Sequence, residues 1–242
     1  MFLAIDIGNS SIKCALYDKE KLVKLDRFSH NEIEKIGSLD SDFQHCAYSS
    51  VVPSLNAKLE DLFWGNFGIR PYQITRDSKR NLLLDYETPQ TLGIDRICAA
   101  EGVIYSSEIN SKNIVIVDFG TATTLNFVEN GNTFTGGYIF PGLSTMVQSL
   151  ESRTAQLPDA DLNQLQISKG KSTTKSILAG ITLSTVGAIS LALEKLNNFD
   201  EKFQLVLTGG NADKIAPFIE QNYIIVPVLT LIGIRKIYYK NL

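Results

Sequence analysis

Histidine and cysteine are scarce in this chain, and their scarcity removes whole classes of chemistry. Only His30 and His45 are present, which argues against a His-based triad and leaves too few for a histidine-rich metal centre. Both read as polar residues at the surface or a strand edge. Cys14, Cys46 and Cys98 are odd in number and far apart. They form neither a disulfide framework nor a zinc cluster, and they suit a reducing compartment. Basic charge is not in excess: 23 Lys and Arg stand against 26 Asp and Glu, a formal net charge of −3. That offers no field for nucleic acid and no polybasic anchor for an anionic membrane. Asp6 interrupts the N-terminal apolar run at once, so no secretory signal is read there. IIVPVLTLIGI, from Ile224, reads as the longest apolar stretch; it is too short for a bilayer and contains Pro227. The expectation is a cytoplasmic protein without nucleic-acid or membrane partners.

Pro/Ser-rich linkers and low-complexity segments are missing as well. What is present is an ordinary globular composition over 242 residues, 44% hydrophobic and 20% charged, enough to bury a sizeable core. FLAIDI is apolar throughout and reads as a buried strand; SIKCALYD and LVKLDRFS follow as two more. QHCAYSSVVP gives a further strand and a loop. Ser54 reads as the N-cap of the helix LNAKLEDLF. Residues 91–105 read as a helix entered through a glycine turn. In the second half NIVIVD, TATTLNFVEN and NTFTGGYIF read as strands. Helices are expected over residues 143–150, from Lys175 to about Leu196, and after the Gly209-Gly210 pair that ends the strand QLVLT.

Laid side by side, the two halves repeat. MFLAIDIGNSSIKCAL returns as NIVIVDFGTATTLNFV, with Asp6-Ile7-Gly8-Asn9-Ser10 matching Asp118-Phe119-Gly120-Thr121-Ala122 at a constant offset of 112. That period is far too long for a solenoid and points to a duplicated α/β domain. The expected division is residues 1–111 and 112–242, packed around one cleft. In each copy a strand ends at a carboxylate. Glycine then lets the chain turn sharply and approach a ligand closely. The small residues beyond it present N–H groups, a phosphate cradle without a P-loop lysine. Asp6 at the turn suits a hydrated divalent cation beside phosphates. Read singly, Asp-x-Gly at a strand end is only a turn; two copies, each followed by a Ser/Thr row, point to a nucleotide.

Other nucleotide motifs fail or stand alone. Gly170-Lys171-Ser172 resembles the tail of a Walker A loop, but Leu165 stands where its first glycine is required. LTGGNA, residues 207–212, is either a plain strand-to-helix turn or a platform for a flat ligand such as adenosine. YETPQTLGIDR, residues 86–96, sets Asp95 and Arg96 after a glycine turn. Alone this is a surface ion pair. Beside a phosphate site it offers a carboxylate to take a proton from an alcohol, and a guanidinium for an anionic substrate.

Taken together, the Asp-x-Gly-Asn start, Gly-x-Asp-Arg, DFGTATT, GGYIFPG and LTGG resemble, in this order, the type III pantothenate kinases. That family belongs to the acetate-kinase, sugar-kinase, Hsp70 and actin superfamily of duplicated RNase-H-like domains. The resemblance runs from Met1 to about Ile234. It implies ATP-dependent phosphorylation of pantothenate to 4′-phosphopantothenate, the first step towards coenzyme A, with Mg²⁺ accompanying ATP. It also implies a homodimer and a monovalent cation, K⁺ or ammonium. By matching positions, Asp6, Ile7, Gly8, Asn9, Ser10, Ser11, Ile12 and Lys13 form the first ATP phosphate loop, and Thr121 touches ATP from the second. Asp118 holds the monovalent cation. Gly93, Ile94, Asp95 and Arg96 line the pantothenate site, with Asp95 as proton acceptor. Tyr86 and Thr173 contact the substrate, Thr173 across the subunit interface. Ser10 replaces the usual Thr, Ile94 a common Ala, and Ser172 an Asp. Two competing readings keep the fold: a regulator without catalysis, and a phosphohydrolase that uses water as acceptor.

Overall fold

The computed structural model describes residues 1–39, 43–197 and 203–242. In chain order its elements are β1 (Phe2–Ile7), β2 (Ile12–Asp18), β3 (Lys21–Phe28), a 3₁₀ segment (His30–Ser38), β4 (His45–Ser50), α1 (Asn56–Phe67), β5 (Tyr72–Gln73), β6 (Leu83–Leu84) and α2 (Ile94–Ile104). Then come β7 (Ile114–Phe119), β8 (Ala122–Glu129), β9 (Thr133–Pro141), α3 (Leu143–Arg153), α4 (Thr173–Asn197), β10 (Gln204–Thr208), α5 (Ala212–Ile215), β11 (Tyr223–Ile225) and α6 (Leu229–Lys240).

Two compact units result: Met1–Ser107 with Val228–Leu242, and Glu108–Pro227. The first division therefore falls at 107/108 rather than 111/112. The C-terminal helix α6 groups with the first unit, where the sequence reading left it in the second. The physical reason is a close helix crossing. A Cβ added at Gly233 of α6 would lie 1.8 Å from the Cys98 carbonyl oxygen of α2. One added at Gly102 of α2 would lie 2.3 Å from the Leu229 carbonyl oxygen. Two glycines, one on each helix, let the backbones touch.

Each unit holds the same sheet. In the first the strand order is β3-β2-β1-β4-β5. β1, β2 and β3 form an antiparallel meander; β4 is parallel to β1 and β5 parallel to β4. In the second, β9-β8-β7-β10-β11 repeats this, with β7, β8 and β9 antiparallel and β10 and β11 parallel. This is the duplicated RNase-H-like, actin-like α/β architecture. The repeat is not strictly periodic. Ile7 pairs with Ile12 across residues 8–11, whereas Phe119 pairs with Thr123 across residues 120–122. The offset of 112 holds into the turn and becomes 111 on the second strand.

Strand alternation decides which face each aspartate occupies. Leu3, Ile5 and Ile7 of β1 join a core with Ile33, Ile36, Leu59 and Phe63. Phe2, Ala4 and Asp6 therefore point to the opposite face, where the Phe2 ring lies 5.0 and 5.4 Å from those of Tyr238 and Tyr239 on α6. In the second unit Val115, Val117 and Phe119 join a core with Leu143, Leu178 and Ile181, sending Asp118 to the other face.

Some local expectations change. Ser54 lies inside a 3₁₀ turn, Pro53–Leu55, and α1 is entered through Leu55 with no side-chain cap. α2 starts at Ile94, after a separate turn at Pro89–Thr91. The most membrane-like segment is not IIVPVLTLIGI but the helix over Thr173–Leu196, whose best window has mean hydropathy 1.9. Length and hydropathy alone would let it cross a bilayer. Its Ile177, Leu178, Ile181, Val186, Ile189 and Leu193 are instead packed in the core of the second unit.

Candidate functional site

The first unit gathers its chemistry at the C-terminal end of β1. Asp6 is 6% exposed. It pairs in register with Lys13 on β2 and with Ser49 on β4. The Ser49 hydroxyl donates to Asp6 Oδ1 at 3.1 Å, and Lys13 Nζ lies 3.9 Å from Oδ2. Burial pushes the Asp6 carboxyl above its ordinary value; Lys13 opposes this, and the Asp95 carboxylate adds to it. Two of the expected site aspartates thus act on each other within one unit. Ser49 was missed. It sits in the parallel neighbour of β1, and a pairing over so many residues leaves no mark in either strand's own pattern.

The loop after Asp6 is held by two bonds. Gly8 N–H donates to the Ser11 carbonyl at 3.0 Å. His30 Nε2 lies 2.8 Å from the Gly8 carbonyl oxygen, which only accepts, so Nε2 carries the proton. His30 is therefore tied to the expected phosphate loop and is more than a bland polar residue. Ile7 and Ile12 are buried at the base of the loop, and Asn9 and Ser10 are exposed at its tip. The steric case for glycine here is weak. Neither Gly8 nor Gly120 has left-handed backbone, and a Cβ at either would meet nothing nearer than 3.4 Å. Neither the turn nor its neighbours therefore requires glycine at these two positions.

Asp95 and Arg96 open α2. Gly93 is the N-cap, and a Cβ there would fall 2.4 Å from Asp95 Oδ1. Asp95 Oδ1 accepts the Arg96 backbone N–H at 2.9 Å, so the carboxylate folds back over the glycine. Arg96 is 7% exposed, which removes the surface ion-pair reading. Ile94 is buried beside it. Tyr86 is half-buried in the preceding segment.

In the second unit Asp118 is half-buried at the end of β7, in register with Thr208 of β10. This mirrors Asp6 and Ser49: in each unit a hydroxyl residue of the parallel strand stands beside the aspartate. Gly209 follows Thr208 with φ +93, and a Cβ there would lie 2.3 Å from Asp118 Oδ1. The Thr121 carbonyl accepts Gly142 N–H at 2.9 Å and the Thr145 hydroxyl at 2.6 Å, fastening the second loop to the start of α3. Gly209 thus packs against the protein's own carboxylate, and Gly210 beside it is exposed. Thr173 is exposed as the first residue of α4. Irregular chain precedes it rather than the strand that a P-loop needs, in keeping with the failed Walker motif.

Among the described residues no three His, Cys, Asp or Glu side chains cluster as a metal centre. A single buried carboxylate fits Mg²⁺ that keeps its waters and phosphate oxygens.

Known proteins resemble this chain in sequence and in fold. The family model described as type III pantothenate kinase matches residues 2–195. A protein of Citrifermentans bemidjiense named type III pantothenate kinase is 34% identical, over 100% of this chain and 100% of its own. One of Listeria monocytogenes with the same name is 33% identical, over 100% and 98%. Among solved structures, a conserved Campylobacter jejuni protein described as a Baf family transcriptional activator has TM-score 0.63 at 23% identity, covering 99% of this chain and 98% of that one. The activator of 2-hydroxyisocaproyl-CoA dehydratase from Clostridium difficile, with bound ADPNP, has TM-score 0.53 at 16% identity, covering 99% and 94%. At such identities the structures establish the fold alone.

Proposed function

The chain belongs to the type III pantothenate kinase family, and from that premise we propose how its residues divide the reaction. The reaction is ATP-dependent phosphorylation of pantothenate, in coenzyme A biosynthesis. Asp95 takes the proton of the pantothenate hydroxyl as that oxygen attacks the γ-phosphorus. One of its oxygens is engaged by the Arg96 N–H, which leaves the other for the acceptor. Arg96 answers the pantothenate carboxylate, and Tyr86 and Thr173 complete the acceptor site. Residues 6–13 hold the ATP phosphates, and Thr121 adds a contact from the second loop. Asp6 is the carboxylate for hydrated Mg²⁺, which would neutralise phosphate charge. Asp118 is the ligand for K⁺ or ammonium. The observation that carries this division is the buried Asp6 carboxylate at the end of β1, bonded by the Ser49 hydroxyl and in register with Lys13.

Two further properties belong to the same reading. The protein works in the cytoplasm; all three cysteines are free and buried. It is a homodimer: α4 leaves Leu183 60% and Leu191 54% exposed, an apolar face that a second copy would cover.

One assay tests the reaction. Purified protein with ATP, Mg²⁺ and K⁺ should release ADP only when pantothenate is added. Turnover without pantothenate would favour the hydrolase, and nucleotide binding without turnover the regulator. Asp118→Asn should shift the K⁺ activation curve to higher concentration, since an amide does not neutralise a cation. An unchanged K⁺ titration would remove Asp118 from that role.

A further inference from the structure

The segment carrying Tyr86 lies between β6 and α2, and its only helical turn is Pro89–Thr91. Such a stretch would wander unless fixed, yet both its limbs are tied to charged side chains. On the entering limb, Asn81 N–H donates to Glu101 Oε1 at 2.9 Å and to Oε2 at 3.1 Å, and Leu82 N–H donates to Oε2 at 2.7 Å. On the leaving limb, Arg76 Nε donates to the Leu92 carbonyl at 2.9 Å, just before Gly93.

Glu101 is 0% exposed, on a stretch of α2 otherwise made of Ile97, Cys98, Ala99, Ala100 and Val103. The carboxylate offsets its desolvation cost by accepting the Asn81 and Leu82 N–H groups, to which an apolar side chain would offer no acceptor. What the carboxylate adds is geometry. Asp95 and Glu101 share one helix, six residues and about 9 Å of axial rise apart. The strand leading to Tyr86 is thereby registered to the proton acceptor through rigid backbone.

We propose that Glu101 and Arg76 are positioning residues for the acceptor segment: neither touches substrate, and together they fix where Tyr86 and Gly93 stand relative to Asp95. This rests on reading residues 86–96 as the pantothenate site. Arg76 is exposed, so its removal leaves the core intact. Arg76→Ala should raise KM for pantothenate about tenfold, the worth of one charge-assisted hydrogen bond. KM for ATP should stay put, and the thermal midpoint should fall by no more than the few degrees that one hydrogen bond is worth. Arg76→Lys, which still donates, should recover most of the loss. Glu101→Gln keeps one acceptor oxygen but sets an N–H₂ against the Asn81 N–H, and should shift the same constant in the same direction. Amide hydrogen exchange at residues 82–92 should quicken in Arg76→Ala.

A folded Arg76→Ala with unmoved KM for pantothenate, or with both KM values raised together, would overturn the proposal. So would unchanged exchange at residues 82–92. If Glu101→Gln fails to fold, Arg76→Ala decides alone. Failure of the underlying reading looks different: the wild type would release no ADP in response to pantothenate, while hydrogen exchange would still report whether the limbs are pinned.

Discussion

Two aspartates of the first unit do opposite things to the molecule that carries them. Asp6 is buried, and burial holds its native carboxyl above the ordinary value of 3.8. The native state then binds more protons than the unfolded chain between those two values, so this group lowers stability as pH rises through that window. Asp6→Asn should melt higher than the wild type at pH 7, and the gap should close about one pH unit below 3.8, where the carboxyl is largely protonated in both states. Thermal melts at the two pH values read it. A wild type that melts higher at pH 7 would mean that Ser49 and Lys13 more than offset the burial. The same variant should lose activity, so stability and function part at this residue. Asp95→Asn should instead keep both substrates bound and lower kcat by about 10²- to 10⁴-fold, the usual cost of removing a general base. Near-normal kcat would mean that another group takes the proton.

Among the elements, the α2–α6 crossing is the most exacting contact, because it leaves no room for a methyl group. Gly233→Ala would set a Cβ against the Cys98 carbonyl. Overpacking of this kind costs about 1–3 kcal/mol or more. Because Asp95 lies in the first turn of α2, kcat should fall with the melting temperature. Gly65→Ala on α1 is the contrast: a Cβ there meets nothing within 4 Å, and the helix should gain about 0.5–1 kcal/mol. Calorimetry on the pair checks both signs. These contacts also mark where the sequence is readable. Each long strand and the first turn of each repeat is legible, since burial and alternation leave a local pattern. The Asp-x-Gly aspartates, Gly93 and Asp95 stand out for the same reason. Ser49, Thr208, His30 and Glu101 do not, because each acts on a partner distant in the chain. The grouping of α6 with the first unit is hidden in the same way: its cause is two glycines, 102 and 233, that only the folded chain sets together.

At the scale of the whole molecule the duplicated units have diverged. The first adds α6, while the second carries α4, with Thr173 at its start and exposed leucines along one face. If that face joins two copies, the proposal that the acceptor site is shared between subunits can be tested: Asp95 from one chain, Thr173 from its partner. Two inactive variants separate the possibilities. Asp95→Asn removes the proton acceptor, and Thr173→Tyr blocks the acceptor site by bulk. In a mixed dimer with shared sites, one site collects both lesions and the other collects neither. Random exchange of equal amounts makes about half the dimers mixed, each with one intact site, so roughly a quarter of wild-type activity should return. If both residues serve the same chain's site, every site in every dimer carries a lesion and mixing restores nothing. Native mass spectrometry establishes that exchange has occurred. Activity that stays at zero in an exchanged sample would assign Thr173 to its own chain's site.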